Sequence, residues 1–177
     1  MDHSRYVSPF SARYASREMQ YAFSDDNKFK TWRRLWLALA RGQHKLGLPI
    51  TREQLEEMAA HVEDINYEDA LRRERECRHD VMSHVYAYGL QCQKARGIIH
   101  LGATSCYVGD NTDIIVMKQG LQILRRKLLN TLLLLARFAR EHKALPALAY
   151  THLQPAQLTT VGKRATLWMN ELYMDVL

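Results

Sequence analysis

Cysteine is scarce in this sequence, and the three present, Cys77, Cys92 and Cys106, are odd in number and widely spaced. They form neither a CxxC metal pair nor a disulfide framework, which points to a reducing compartment and, by default, the cytosol. Long apolar runs are missing too. No uninterrupted stretch reaches the roughly 20 residues needed to span a bilayer, and the opening MDHSRYVSPFSARY lacks the apolar core of a secretory signal. Glycine is limited to eight residues, none of them in a GxxxxGKS/T or GxGxxG phosphate loop, and neither GxSxG nor HExxH occurs. Cofactor-dependent chemistry therefore finds no support. Internal repeats and low-complexity tracts are also lacking.

What remains is an ordinary globular composition, 47% apolar and 25% charged over 177 residues, enough for one core or for a small domain with part of a second. The formal charge of +6 invites a polyanionic partner. Yet the densest charged stretch, Arg72-Arg73-Glu74-Arg75-Glu76, carries both signs and fits a solvated helix face better than a phosphate track. Nucleic acid is set aside on that ground. A basic pocket for a small, multiply anionic substrate would draw on the same charge.

Apolar spacing predicts a helical chain. The first dozen residues show no period and are read as an arm or loop. Ser24 with Asp25 and Asp26 marks a helix start, and Phe29, Trp32, Leu35, Trp36 and Leu39 follow at intervals of three and four. Gly47 and Pro49 end that helix, and Thr51 with Gln54 makes a capping box for the next. Further helices are predicted over Tyr67 to Cys77 and from about Asp80 to Cys92. The segment 97–105, with two glycines and no helical period, reads as a buried loop from which Thr104 or Ser105 caps the longest helix, from about Tyr107 to His142. That helix would be on the order of 50 Å long. Its stretch Leu128 to Leu135 is apolar nearly all round, as in the inside of a bundle. Pro146 interrupts it, residues 147–157 form a non-helical crossing, and helix resumes near Thr159-Thr160 and continues to the last residue. A chain closing inside a helix is expected to be truncated.

Three segments place polar residues where a plain scaffold would not. Arg78-His79-Asp80, followed by His84, lies between two helices, with Asp80 expected as a simple N-cap. His79 and His84 stand five apart, a poor helical spacing for a metal, so no metal site is assigned. Gly102-Ala103-Thr104-Ser105 leads into the long helix, either as a plain cap or as an anion site at a helix N-terminus; both readings stay open. Tyr150-Thr151-His152-Leu153-Gln154-Pro155-Ala156-Gln157 is an extended segment in which the imidazole could donate a proton, or in which polar groups merely satisfy a turn.

Taken in order, Arg-His-Asp-Val-Met-Ser-His (78–84), GIIHLGATSCYVGDNTD (97–113) and THLQPAQLTTVGKR (151–164) resemble the adenylosuccinate lyase family of the fumarase/aspartase superfamily. The segments 11–16 and 28–36 resemble it too, so the likeness covers nearly the whole chain but only the front portion of such an enzyme. The resemblance implies an all-α, fumarase/aspartase-like fold. It divides into an N-terminal helical domain over 1–105 and, over 106–177, the first part of a central helical bundle. It implies a cytoplasmic homotetramer and a β-elimination that releases fumarate from adenylosuccinate, and from the succinylated aminoimidazole carboxamide ribotide, without metal or organic cofactor. On this likeness His152 is the general acid and His79 supports it. Thr104 and Ser105 hold a succinyl carboxylate, while Arg13, Tyr14, Arg78, His79 and Asp80 face the nucleotide. Thr151 and Gln157 are substrate-side hydrogen-bonders. The family's serine base belongs to a Ser-Ser-x-Met-Pro-x-Lys-x-Asn-Pro loop that this sequence does not contain, so no base is assigned and the isolated chain is expected to be inactive. The alternatives are another lyase of the superfamily, such as argininosuccinate lyase or fumarase, and a non-catalytic helical assembly fragment.

Overall fold

The computed structural model describes residue 4 and residues 6–177. Cα packing divides the chain into two compact units, residues 1–120 and 121–177.

In the first unit, Phe10–Tyr14 forms a π-helical turn that begins within the first dozen residues, read from the sequence as an arm or loop, and Arg17–Ala22 forms a short helix, α1, that the sequence reading did not assign. Ser16 supplies the cap of α1, its hydroxyl accepting from Met19 N at 3.3 Å. The next helix, α2 (Asp25–Lys45), starts as expected: Ser24 accepts from Asn27 N, and Asp25 and Asp26 sit at the positive end of the dipole. Its end is a Schellman motif. Gly47, at φ 87°, donates its N–H to His44 O, and Leu48 N donates to Gln43 O. The capping box at Thr51 and Gln54 opens α3 (Arg52–Ala60), both of its reciprocal hydrogen bonds being formed. Then come α4 (Tyr67–Cys77) and α5 (Asp80–Gln91).

The apolar stripe of α2 is the spine of this unit. Trp32, Trp36, Leu37 and Ala40 are buried against Met58 of α3, Val81 and Tyr88 of α5, and Ile99. Several polar groups inside it are tied down. Tyr88 donates its hydroxyl to Met58 O at 2.6 Å. The guanidinium of Arg33, 1% exposed, lies over the Tyr88 ring and donates to His61 O, Asp64 O and Asn66 Oδ1. A buried cation is tolerable only with such a set of acceptors. Here it also pins the connection between α3 and α4.

Residues 93–102 make successive tight turns, with Ile98 N, Leu101 N and Ala103 N each donating three residues back. The longest helix, α6 (Ser105–Glu141), follows, close to its predicted bounds.

In the second unit, the remainder of α6 is followed by a two-stranded antiparallel hairpin, β1 (Pro146–Thr151) and β2 (Gln154–Thr160), and by α7 (Val161–Met174). The non-helical crossing expected for 147–157 takes the form of this hairpin. The helix after it closes at Met174, with Asp175 as C-cap, instead of running to the last residue. Gly162 joins α7 to the end of α6: its N–H donates to His142 O at 3.0 Å, and a Cβ there would lie 2.4 Å from Ala139 O and 2.7 Å from Lys143 Cα. Leu121, Leu124, Leu133 and Leu134 of α6 are exposed. An open apolar groove of about 610 Å³ runs between Leu129, Leu133 and Ala136 of α6 and Met169 and Tyr173 of α7. The architecture is all-α apart from the hairpin. Among the described residues no helix is long and apolar enough to cross a membrane.

Candidate functional site

The junction between α4 and α5 is built by two backbone features. Arg78 ends α4 in the left-handed region at φ 53°, and its N–H closes the helix on Glu74 O at 2.7 Å. His79, not Asp80, is then the N-cap of α5: its Nδ1 accepts from Met82 N at 3.4 Å. Asp80 is the first helical residue, with Oδ1 accepting from Val81 N at 2.7 Å and lying 3.6 Å from His79 Nδ1. The expectation that Asp80 caps this helix is thus corrected. Asp80 retains the favourable place of a carboxylate in the first turn. Ser83 Oγ holds the cap from below, donating to His79 O at 2.6 Å.

This cap decides what the far side of the ring can do. An Nδ1 that accepts from a backbone N–H leaves the proton of the neutral imidazole on Nε2. Nε2 lies 3.3 Å from Ser105 Oγ, at the start of α6. With Nε2–H donating to that oxygen, the serine hydroxyl keeps its own proton to donate elsewhere. Ser105 is half-buried, and Thr104, immediately before the first helical residue, is exposed. Two motifs separated by 26 residues are thereby joined, at a helix N-terminus suited to an anion.

Arg13 and Tyr14 are exposed on the turn Phe10–Tyr14, with Tyr14 against Phe10, and no hydrogen bond joins them to His79 or Ser105. In the second unit, Thr151 pairs with Gln154 across a two-residue turn, and the residues of that turn, His152 and Leu153, have φ of 52° and 63°. Both are in the left-handed region, the backbone of a type I′ hairpin turn. His152 is exposed at its tip. The pairing passes from Leu148↔Leu158 to Tyr150↔Pro155, so that Ala156 and Gln157 stand opposite Ala149 alone. Gln157 therefore sits in a β-bulge, a device that re-aims side chains beside functional sites.

His84 belongs to the core, not to a site. It is 5% exposed and stacked on Phe29 at 3.7 Å, and burial pushes its imidazole down to about 4. Among the described residues no group of three His, Cys, Asp or Glu side chains is placed to hold a metal ion. One residue was not singled out from the sequence. His100 accepts at Nδ1 from Trp36 Nε1 at 2.9 Å, and burial, then the neighbouring His79, lowers its affinity for a proton. Its position inside the segment 97–105 was the available signal.

No family model matches the chain. It is 52% identical over 178 residues to the adenylosuccinate lyase of Saccharomyces cerevisiae and 49% identical over 178 residues to that of Schizosaccharomyces pombe. In both cases the match takes in 99% of this chain and 37% of the relative, so the chain spans little more than a third of the curated relatives it matches. Among solved structures, the fumarate lyase from Mesorhizobium sp. BNC1 superposes with a TM-score of 0.82 at 24% identity, over 92% of this chain and 38% of that one. That likeness establishes the fold. Over nearly its whole length the chain is thus similar in sequence to these adenylosuccinate lyases, and it shares the fold of the matching part of the Mesorhizobium fumarate lyase.

Proposed function

We propose that the chain serves the cleavage of adenylosuccinate to fumarate and AMP, and the same elimination on the succinylated aminoimidazole carboxamide ribotide. The observation that carries this reading is the contact between His79 Nε2 and Ser105 Oγ, which unites the two first-unit motifs at the N-terminus of α6. Elimination removes a proton from the succinyl carbon next to a carboxylate, breaks the C–N bond, and delivers a proton to the departing nitrogen. Negative charge accumulates on that carboxylate. The hydroxyls of Thr104 and Ser105 and the free N–H groups of the helix end are the kind of donors that stabilise it. His152 protonates the leaving nitrogen, with His79 as its support. Arg13, Tyr14, Arg78 and Asp80 contact the nucleotide, and Thr151 and Gln157 hydrogen-bond on the substrate side. The base comes from sequence that this chain does not contain.

Residues 1–105 and 106–177 are, on the same reading, the N-terminal domain and the start of the bundle domain of a cytoplasmic homotetramer. The leucines exposed on α6 and the three free cysteines support that assembly and a reducing location. Nucleic acid has no part in it.

The test is steady-state fumarate release by the complete lyase carrying this chain. His152→Gln should lower kcat by about 10²- to 10⁴-fold with KM little changed, since the proton moves only in the transition state. Ser105→Ala should raise KM as well as lower kcat, because its hydroxyl touches ground and transition states alike. A His152→Gln enzyme with normal kcat and only a raised KM would remove His152 from the acid role.

A further inference from the structure

We propose that Trp36 is a positioning residue: its indole N–H holds His100 in the neutral Nε2–H tautomer and, through that ring, fixes the turn from which Ser105 starts α6. The indole is wholly buried, and its Nε1 lies 2.9 Å from His100 Nδ1, with the two rings edge to face at 87°. An indole nitrogen can only donate. Nδ1 must therefore present its lone pair, and the one proton of the neutral ring is confined to Nε2. Adding a proton to Nδ1 would set donor against donor. The lowered proton affinity of His100, from burial and then from His79, runs the same way.

Satisfying a buried indole does not by itself explain the contact. Trp32, one turn earlier on the same helix and 2% exposed, leaves its Nε1 without a partner among the described residues. The fold tolerates that loss there, yet at Trp36 it aims the donor at a histidine. Other groups of α2 hold the segment on either side of Ser105: Gln43 Nε2 donates to Leu101 O at 2.7 Å in the turn, and Leu35 O accepts from Tyr107 OH of α6 at 3.0 Å. His100 O in turn accepts from Ala103 N, two residues before Ser105. His79 obeys the same rule, since Met82 N donates to its Nδ1. Two neighbouring imidazoles are thus each held as Nε2–H donors by an N–H aimed at Nδ1, one from the backbone and one from the core. The importance of this for catalysis rests on the reading of Ser105 as a carboxylate clamp; the tautomer itself does not.

The experiment is nitrogen-15 NMR of the histidine rings in the whole 177-residue chain, with the His100 signals assigned by His100→Asn. Wild type should show His100 as a single Nε2–H tautomer, with a hydrogen-bonded Trp36 indole proton. Trp36→Phe keeps an aromatic ring but removes the donor. His100 should become a mixture of tautomers, and the amide signals of Ala103 and Ser105 should shift, while His84 in the core keeps its pattern. His100→Asn, whose amide oxygen falls near the place of Nδ1, should preserve the indole proton shift, and His100→Leu should lose it. This pair of variants decides the matter even if Trp36→Phe fails to fold. A wild-type His100 protonated on Nδ1, or an indole shift equally lost in His100→Asn and His100→Leu, would overturn the proposal. Intact tautomer control in a chain whose complete lyase releases no fumarate would instead refute the functional reading alone.

Discussion

Acidification from pH 7 to pH 4 should weaken the first unit, chiefly through one core imidazole. His84 stacks on Phe29 with centroids 3.7 Å apart and meets Trp32 edge-on at 5.5 Å. Burial lowers its proton affinity most, Arg33 and Lys28 lower it further, and Asp80 opposes them, leaving a pKa of about 4 against the ordinary 6.5. The folded form is the one with the depressed value, so its stability is complete above pH 6.5. As pH falls below that point the unfolded chain takes up a proton that the folded chain refuses. The loss grows by about 1.4 kcal/mol per pH unit and reaches roughly 3 kcal/mol near pH 4. In a protein whose total stability is on the order of 5–15 kcal/mol, this is a large fraction. Asp26 and Asp64, both held below the usual 3.8, add their losses only at lower pH, outside this window. His100 is depressed too and contributes to the wild-type slope, so the decisive quantity is the difference between two proteins. His84→Phe keeps a flat ring against Phe29 and cannot titrate. Urea unfolding at pH 7.5, 6.5, 5.5 and 4.5, followed by the near-ultraviolet dichroism of the buried tryptophans, gives both slopes. Wild type should lose roughly 2 to 3 kcal/mol more than His84→Phe across this range. Equal losses would show that His84 does not carry the acid sensitivity.

In the second unit, Gly162→Ala would drive a methyl group into Ala139 O and the backbone of Lys143, atoms that no side-chain rotation can relieve. The expected cost is about 1–3 kcal/mol, measured as faster amide exchange throughout α7, and unchanged exchange would refute the packing argument. On the proposed function, the exposed leucines of α6 should be covered by helices from other copies or from sequence this chain does not contain. Sedimentation of the complete lyase should show a tetramer, and a well-folded monomer would exclude the bundle reading.

Most of the helices were legible because their signals are local. The three- and four-residue spacing of α2 and the capping box at Thr51 and Gln54 follow from side chains within a turn or two of one another. The hairpin was not legible. Its turn is made by His152 and Leu153 instead of the asparagine and glycine that advertise left-handed backbone, and only the start of β1 alternates in burial while β2 does not. The cap of α5 was misassigned for a related reason: aspartate is the usual capping residue and histidine is not, yet Nδ1 of His79 takes the N–H. For the candidate site, the motifs were visible as separate segments, but the bond from His79 to Ser105 depends on tertiary packing. Trp36 was legible only as a core residue, because apolar periodicity says nothing about where an indole N–H points.

The turn at His152 and Leu153 sets two demands against each other. Left-handed backbone costs an ordinary L-residue about 1–2 kcal/mol, and both residues adopt it, with Leu153 95% exposed and little packed against it to offset the strain. Asparagine or glycine would rest there more comfortably, and a consensus of hairpin turns would install them. An engineer raising thermal stability by that consensus would improve the hairpin and discard the imidazole on which the proposed proton delivery depends.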